Sequence, residues 1–291
     1  MRELSFILTA AEDGRRVGRL VLSLAKVSRH GYAALKKRGG VLLDGRPARA
    51  DERARAGQTL TVLIDPAGEE DAVLTPLSGG LRVLFEDDDY LVLDKPAPMA
   101  VMRSRGKPGP TVQQLMEEAG LFFRPVNRLD KGTSGLMVCA RSSYAQQRAQ
   151  KLLHTDSFIR EYLAVAQGEW AGEGVIDLPL IKESETSVRR VPRSDGKPCE
   201  TRYRVLMSGK GRSLVRLRLL TGRTHQIRAH LAAVGHPITG DYLYGEPDPA
   251  LPGRFALHSA LIAFAHPLNG ETLTFESPLP EELVKIMPGP G

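Results

Sequence analysis

Pro125-Val126-Asn127-Arg128-Leu129-Asp130-Lys131-Gly132-Thr133-Ser134-Gly135 runs straight into the apolar Leu136-Met137-Val138, and it holds the densest cluster of chemically special residues in the chain. Arg, Asp, Lys, Thr and Ser packed into a turn between two apolar segments suit a site better than a core. An ordinary polar loop closed by an Asp–Arg pair has the same composition, so the residues alone leave both readings open.

The surroundings of this turn alternate strands and helices without repeats. Leu81 to Phe85, the acidic turn Asp87-Asp88-Asp89 and Tyr90 to Leu93 read as a hairpin that ends at Lys95-Pro96. Thr111 and Gln114 form a capping box for a helix over Val112, Leu115 and Met116 that closes at Gly120. Glu200 to Leu206 and Ser213 to Leu220 are strands, with Gly209-Lys210-Gly211 as their turn rather than a nucleotide site. Asn269-Gly270 joins Leu261 to Phe264 and Thr272 to Phe275 in the strongest hairpin signal of the chain. Hairpins outnumber βαβ units, so the class expected is α+β with a mixed, mainly antiparallel sheet.

The N-terminal end reads differently. Val17, Leu20, Val21 and Leu24 follow a helix face, with Arg15, Arg16 and Arg19 before and among them. Ser28 is placed to cap a second helix that buries Tyr32 and Leu35, displays Arg29, Lys36, Lys37 and Arg38, and stops at Gly39-Gly40. Val41 to Leu43, the Asp44-Gly45 turn and Thr59 to Leu63 then make a small sheet. Residues 1–66 carry 13 Lys and Arg against 7 Asp and Glu, while the remaining 225 residues balance at 27 against 27. Cations gathered in one region suit a polyanion, because neutralising each phosphate releases counterions. The organisation expected is a small basic domain over 1–66, a linker over 67–80 and a second domain over 81–291.

Composition removes other classes. With 42% hydrophobic and 25% charged residues a packed core is expected. No apolar run approaches the roughly 20 residues of a membrane span, and Met1-Arg2-Glu3-Leu4 does not open a secretory signal, so a cytoplasmic protein is expected. Two cysteines, Cys139 and Cys199, make neither a disulfide framework nor a Cys-rich zinc site. His225, His230 and His236, spaced five and six apart, match no zinc motif.

Arg128-Leu129-Asp130 followed by Thr133-Ser134-Gly135 resembles the signature of the RluA-type family of pseudouridine synthases. Lys95-Pro96, Tyr162 within Arg160 to Ala164, and Thr221-Gly222-Arg223-Thr224-His225-Gln226-Ile227-Arg228 resemble the family's other motifs, in the same order, as do Gly240-Asp241 and Leu257-His258. The matches span residues 95–258. Residues 13–65 resemble, more loosely, the small RNA-binding fold named after the fourth protein of the ribosomal small subunit. One departure stands out: Asn127 occupies the position where most relatives have His.

The resemblance implies an enzyme that isomerises uridine to pseudouridine in structured RNA, ribosomal (large subunit) or else transfer RNA, without cofactor or metal and with no obligatory protein partner. It implies Asp130 as the catalytic carboxylate, Arg228 as the cation that keeps it ionised, and Tyr162 facing the base. It also implies Arg128, Leu129, Arg223 and Lys95 as substrate contacts, with Arg128 entering the space left by the flipped base. The cations Arg15, Arg16, Arg19, Arg29, Lys36, Lys37 and Arg38 are the expected RNA-binding set of the first domain. If Thr224 caps a helix to Val234, then Ile227, Leu231 and Val234 form its buried stripe and Arg228 lies at the edge. Arg189-Arg190 through Lys197 reads as a basic loop, an RNA clamp or a solvated surface. A non-catalytic RNA-binding factor and a nucleosidase-like hydrolase using Asp130 are the rival functions.

Overall fold

A computed structural model describes residues 2–25, 32, 35–36, 39–64, 77–87, 89–104, 109–266 and 270–289. The chain divides into two compact units, residues 1–75 with 83–88, and residues 76–82 with 89–291. The cap at Ser28, the cations Arg29, Lys37 and Arg38, and Asn269 of the expected hairpin turn lie outside the described residues.

In the first unit, β1 (Arg2–Ile7), β2 (Val41–Leu43), β3 (Arg46–Pro47) and β4 (Thr59–Ile64) form a sheet in the order β1-β4-β2-β3. Asp44 and Gly45 turn the β2–β3 hairpin with φ of 48° and 78°, the paired positive values that a tight hairpin needs. Helix α1 (Val17–Leu24) buries Val17, Leu20 and Val21 against this sheet, together with Leu35 and Leu43. Arg15, Arg16 and Arg19 are exposed, as is Lys36. Within the helix, the periodicity that buries the aliphatics turns Arg19 to water. Strand β1 was not expected; its alternation Leu4-Ser5-Phe6 is short, and it gains its place by pairing in register with β4.

The two strands expected around the acidic turn both form, as β5 (Arg82–Glu86) and β6 (Tyr90–Lys95). From β6 the large sheet runs β6-β7-β14-β8-β13-β12-β9, through β7 (Ser134–Ala140), β14 (Leu257–Ala265), β8 (Phe158–Gln167), β13 (Arg212–Leu219), β12 (Glu200–Gly209) and β9 (Glu173–Asp177). The sheet is mixed and mainly antiparallel, as expected. Only the short β7–β14 contact is parallel among these pairs; further along, β14 pairs with β15 (Thr272–Glu276) instead. Every residue of β6 and β7 is buried, which explains their nearly continuous apolar sequence.

Cross-strand register places Lys95, Gly135, Ser259, Tyr162 and Leu217 in one row across β6, β7, β14, β8 and β13. Directly paired residues share a face, so this row carries the turn after Asn127 and Tyr162 to the same region. Gly135 has a φ of 100°, and a Cβ there would collide with the Ser259 backbone oxygen. Only glycine lets β7 start so close to β14.

Helix α2 (Val112–Glu118) begins as expected, with Thr111 Oγ1 accepting from the Gln114 N–H at 3.1 Å. The Gln114 side-chain N–H group donates forward to Glu118 at 3.0 Å, so the side chain runs along the helix rather than back to the Thr111 N–H. Helix α3 (Ser143–Leu152), capped by Ser142, was not expected from the sequence; its outer face is so polar that the apolar stripe shrinks to Ala145 and Ala149.

Two further expectations are corrected. Thr224 does not cap a helix: α4 (Gln226–Ala233) starts two residues later, after His225 in the left-handed region at φ 57°. Val234 is exposed, while Arg228 is buried within the helix face rather than lying at its edge. The stretch from Arg189 is also more than a loop, since β11 (Arg190–Pro192) pairs with β10 (Leu180–Lys182) as a two-stranded arm.

Candidate active site

Asp130 follows the buried Val126, Asn127 and Leu129, with Arg128 exposed among them, and the Thr133 N–H donates to the Asp130 carbonyl at 3.1 Å to close the turn. At Gly132 a side chain would meet the Phe255 ring at 2.6 Å, so a residue without Cβ is required for the turn to lie against β14's approach. Asn127 Oδ1 accepts from the Val138 N–H at 2.8 Å, eleven residues on, and so ties the segment to β7. At the start of β7, Ser134 Oγ lies 2.9 Å from His258 Nδ1 and accepts from Arg254 Nη2 at 2.9 Å. His258 Nε2 in turn donates to the Ser277 carbonyl at 3.0 Å. The Leu257-His258 motif thus anchors the base of the Asp130 turn.

The Asp130 carboxylate is partly open, with 29% of its side chain exposed, and Arg228 Nη1 donates to its Oδ2 at 3.1 Å. Arg228 is held harder from behind. Its Nε and Nη2 donate to the two oxygens of the fully buried Asp241 at 2.6 and 2.8 Å, a bidentate pair. Its guanidinium carbon lies 4.3 Å from the Phe255 ring centre and 5.1 Å from that of Tyr244. Burial works against the charge of Arg228, yet Asp241 and Asp130 more than offset this and raise its pKa. Asp241 also accepts from the Leu243 and Tyr244 backbone N–H groups, which fixes the clamp itself.

Tyr162 lines the same cleft from the sheet and is 5% exposed. Burial pushes its hydroxyl above the usual phenol range; Arg160 opposes the shift and Asp130 adds to it. Near neutral pH the group is therefore a phenol and not a phenolate. Arg128, Leu129, Arg223 and His225 complete the wall of this small cleft of about 60 Å³. A wider cleft of about 460 Å³ crosses β12 and β13, but its guanidinium groups are paired, for example Arg204 with Glu173 at 2.6 Å and Arg202 with Glu200 at 3.0 Å.

Among the residues singled out from sequence, Asp130, Tyr162, Arg228, Arg128, Leu129 and Arg223 meet in one cleft. Lys95 does not join them. It is completely buried and donates to the carbonyls of Pro96 at 2.9 Å and Met99 at 2.8 Å. Burial, with Arg254 second, lowers its pKa from 10.5 to about 7. A neutral amine has two N–H groups, and the two carbonyls take both. The Met99 N–H then donates to the Lys131 carbonyl at 3.0 Å, so Lys95 braces the far side of the Asp130 turn. Tyr244 and Phe255, which sandwich Arg228, escaped sequence reading because nothing in their local pattern sets them apart from core aromatics.

Comparison with known proteins supplies the context for this constellation. Residues 89–233 match the family model described as RNA pseudouridylate synthase. The chain is 35% identical over 294 residues to the ribosomal large subunit pseudouridine synthase D of Xanthomonas campestris, covering 94% of this chain and 88% of the relative. The chain belongs to the RluA-type family of RNA pseudouridine synthases. An uncharacterised RNA pseudouridine synthase of Mycobacterium bovis is 35% identical over 297 residues, covering 96% of each chain. Among solved structures, human RNA pseudouridylate synthase domain containing 1 superimposes with a TM-score of 0.57 at 27% identity, covering 68% of this chain and 83% of that one. The enzyme is accordingly an isomerase acting on uridine in RNA.

Proposed function

We propose that the chain converts specific uridines of large-subunit ribosomal RNA to pseudouridine, with Asp130 as the reacting carboxylate. The observation that carries this reading is a half-open carboxylate held by a buried guanidinium and facing a buried tyrosine in one cleft. Asp130 acts on the ribose as the bond to the uracil nitrogen breaks, either as nucleophile or as base. Arg228 donates to it and orients it, and the clamp on Asp241 keeps Arg228 in place. The Tyr162 ring stacks on the base, and Arg128, exposed beside Asp130, fills the gap that the flipped base leaves. Leu129 and Arg223 border the bound nucleotide. Lys95 braces the turn rather than touching substrate.

The large-subunit substrate is supported by several curated relatives, among them those of Xanthomonas campestris and Vibrio vulnificus, whose names state it. Residues 1–66 serve as an RNA-binding domain of the ribosomal-protein type, with residues 67–80 as its linker to the catalytic domain over 81–291. Its exposed Arg15, Arg16, Arg19 and Lys36 support that reading. The enzyme acts as a cytoplasmic monomer; no described helix is long and apolar enough to cross a membrane. The deciding experiment is a pseudouridine map of ribosomal and transfer RNA from cells with and without the gene. Sites lost from the large subunit, and restored by the wild-type gene but not by Asp130→Asn, are the expected result. Loss confined to transfer RNA would overturn the substrate, and restoration by Asp130→Asn would overturn the carboxylate.

A further inference from the structure

His225 stands in the left-handed backbone region, unusual for a residue with a bulky ring, and offers its helix no side-chain cap. The conformation instead aims its ring into the cleft, where 14% of the side chain is exposed and Nε2 lies 4.0 Å from Asp130 Oδ2. On the other side Nδ1 lies 3.1 Å from the Tyr244 hydroxyl, with the two rings edge to face at 5.7 Å. That hydroxyl already accepts from the Arg190 backbone N–H at 2.7 Å.

Proton counting and the charge on Asp130 together favour one arrangement. The Arg190 N–H can only donate, so the Tyr244 oxygen is its acceptor. The phenol proton is then free for His225 Nδ1, which makes Nδ1 an acceptor and leaves the ring proton on Nε2. The opposite tautomer would turn a lone pair on Nε2 toward the Asp130 carboxylate, which repels it. Burial lowers the pKa of His225, in keeping with a neutral ring. At 4.0 Å, Nε2–H is too far from Asp130 to be consumed by it, because N–H···O bonds close at about 2.7–3.2 Å.

We infer that His225 is a further catalytic residue, donating from Nε2–H to a uracil carbonyl oxygen of the target nucleotide, and that Tyr244 is the positioning residue that sets this tautomer. The inference rests on the isomerisation proposed above. When the bond from the ribose to the uracil nitrogen breaks, its electron pair stays with uracil and spreads onto the carbonyl oxygens. A fixed N–H donor beside Asp130 strengthens as that charge grows. Through the Arg190 N–H, the β10–β11 arm also bears on the setting of the ring.

The test combines a spectrum and a rate on the full-length chain. In the nitrogen NMR spectrum of protein carrying labelled histidine, without RNA, His225 should show the Nε2–H tautomer, and Tyr244→Phe should show a mixture. In single-turnover assays His225→Leu should lose on the order of 10²-fold in rate, the usual effect of deleting one such donor. Its RNA affinity should stay near wild type. His225→Gln, which retains an N–H donor, should recover at least about tenfold of that loss, a rescue that a purely structural role would not produce. If His225→Leu fails to fold, His225→Met takes its place. An Nδ1–H tautomer in the wild type, an unchanged rate without the imidazole, or a Gln variant no better than Leu would each overturn the inference. A wild-type chain that makes no pseudouridine in ribosomal RNA would instead defeat the proposed function, whereas the tautomer is read without substrate.

Discussion

Arg228 grips Asp241 with two hydrogen bonds, of 2.6 and 2.8 Å, and so has a single nitrogen left for the residue it serves. The buried carboxylate behind the cleft is therefore the structural partner, and the half-open Asp130 in front is the one proposed to react. This asymmetry separates variants that damage the chemistry from variants that damage the fold.

Asp130→Asn should abolish turnover while leaving folding and RNA affinity close to wild type, because the carboxylate is partly solvated and Arg228 keeps Asp241. Arg228→Met should lose both turnover and stability, since it strands the fully buried Asp241 charge. Removing one partner of a buried pair costs roughly 3–5 kcal/mol. Tritium release from ring-labelled RNA and urea unfolding on the same preparations check the two halves. Equal stability of the two variants would contradict the assignment.

Asp241→Asn is expected to behave like Arg228→Met and unlike Asp130→Asn, with a stability loss again of roughly 3–5 kcal/mol. The double variant Arg228→Met with Asp241→Asn should be far less destabilised than the sum of the two, because neither charge is then left alone. A double-mutant cycle by denaturant unfolding measures the coupling directly.

Lys95 gives the fold a pH dependence. The unfolded chain holds a proton on this amine up to about pH 10.5, but the folded chain only up to about 7. Between those limits the unfolded state binds more protons, so stability should rise with pH from about 7 toward 10.5. Lys95→Met should flatten this rise, and should also lower stability by about 1–3 kcal/mol through two buried carbonyls left without donors. Urea midpoints of both proteins across this range provide the check.

Gly135→Ala forces a side chain against the Ser259 backbone oxygen at a φ of 100°. Strain of at least roughly 1–3 kcal/mol and a displaced Asp130 turn should follow. The expected result is a lower thermal midpoint together with a turnover loss larger than that of Lys95→Met.

Replacing Arg15, Arg16 and Arg19 by Gln should weaken RNA binding without altering the single-turnover rate at saturating enzyme. The slope of log affinity against log salt should fall by about 0.7–0.9 for each phosphate that is no longer neutralised. An unchanged slope would remove these three exposed residues from the proposed interface.

Much of the architecture was legible because local chemistry and tertiary demand agree. Asp44-Gly45 needs positive φ whatever surrounds it, Thr111 caps its own helix, and the apolar run Leu136-Met137-Val138 has no stable place outside a buried strand. Helix α3 and the β10–β11 arm were missed for the opposite reason. The helix is polar in sequence and the arm's strands are only three residues long, and each is anchored by a partner distant in the chain: Tyr90 donates its hydroxyl proton to the Ala145 carbonyl at 2.8 Å, and Tyr244 accepts the Arg190 N–H at 2.7 Å.

The sequence by itself determined the family, the mainly antiparallel sheet and the gathering of charge in residues 1–66, since motif order, hairpin chemistry and composition are properties of the chain before it folds. Asp130, Tyr162 and Arg228 were singled out from their motifs, and folding brings them to one cleft. Only the tertiary structure decided that Lys95 faces two carbonyls and not the cleft, that Asp241 is the main partner of Arg228, and that His225 stands beside Asp130. His225 and Asp130 lie 95 positions apart, while Arg228 and Asp241 lie 13 apart and Lys95 only one and four from its acceptors, so neither distance nor nearness in the chain signals these contacts. Their geometry comes from strand register and from helix α4 beginning after a left-handed residue, and neither leaves a pattern in the local sequence.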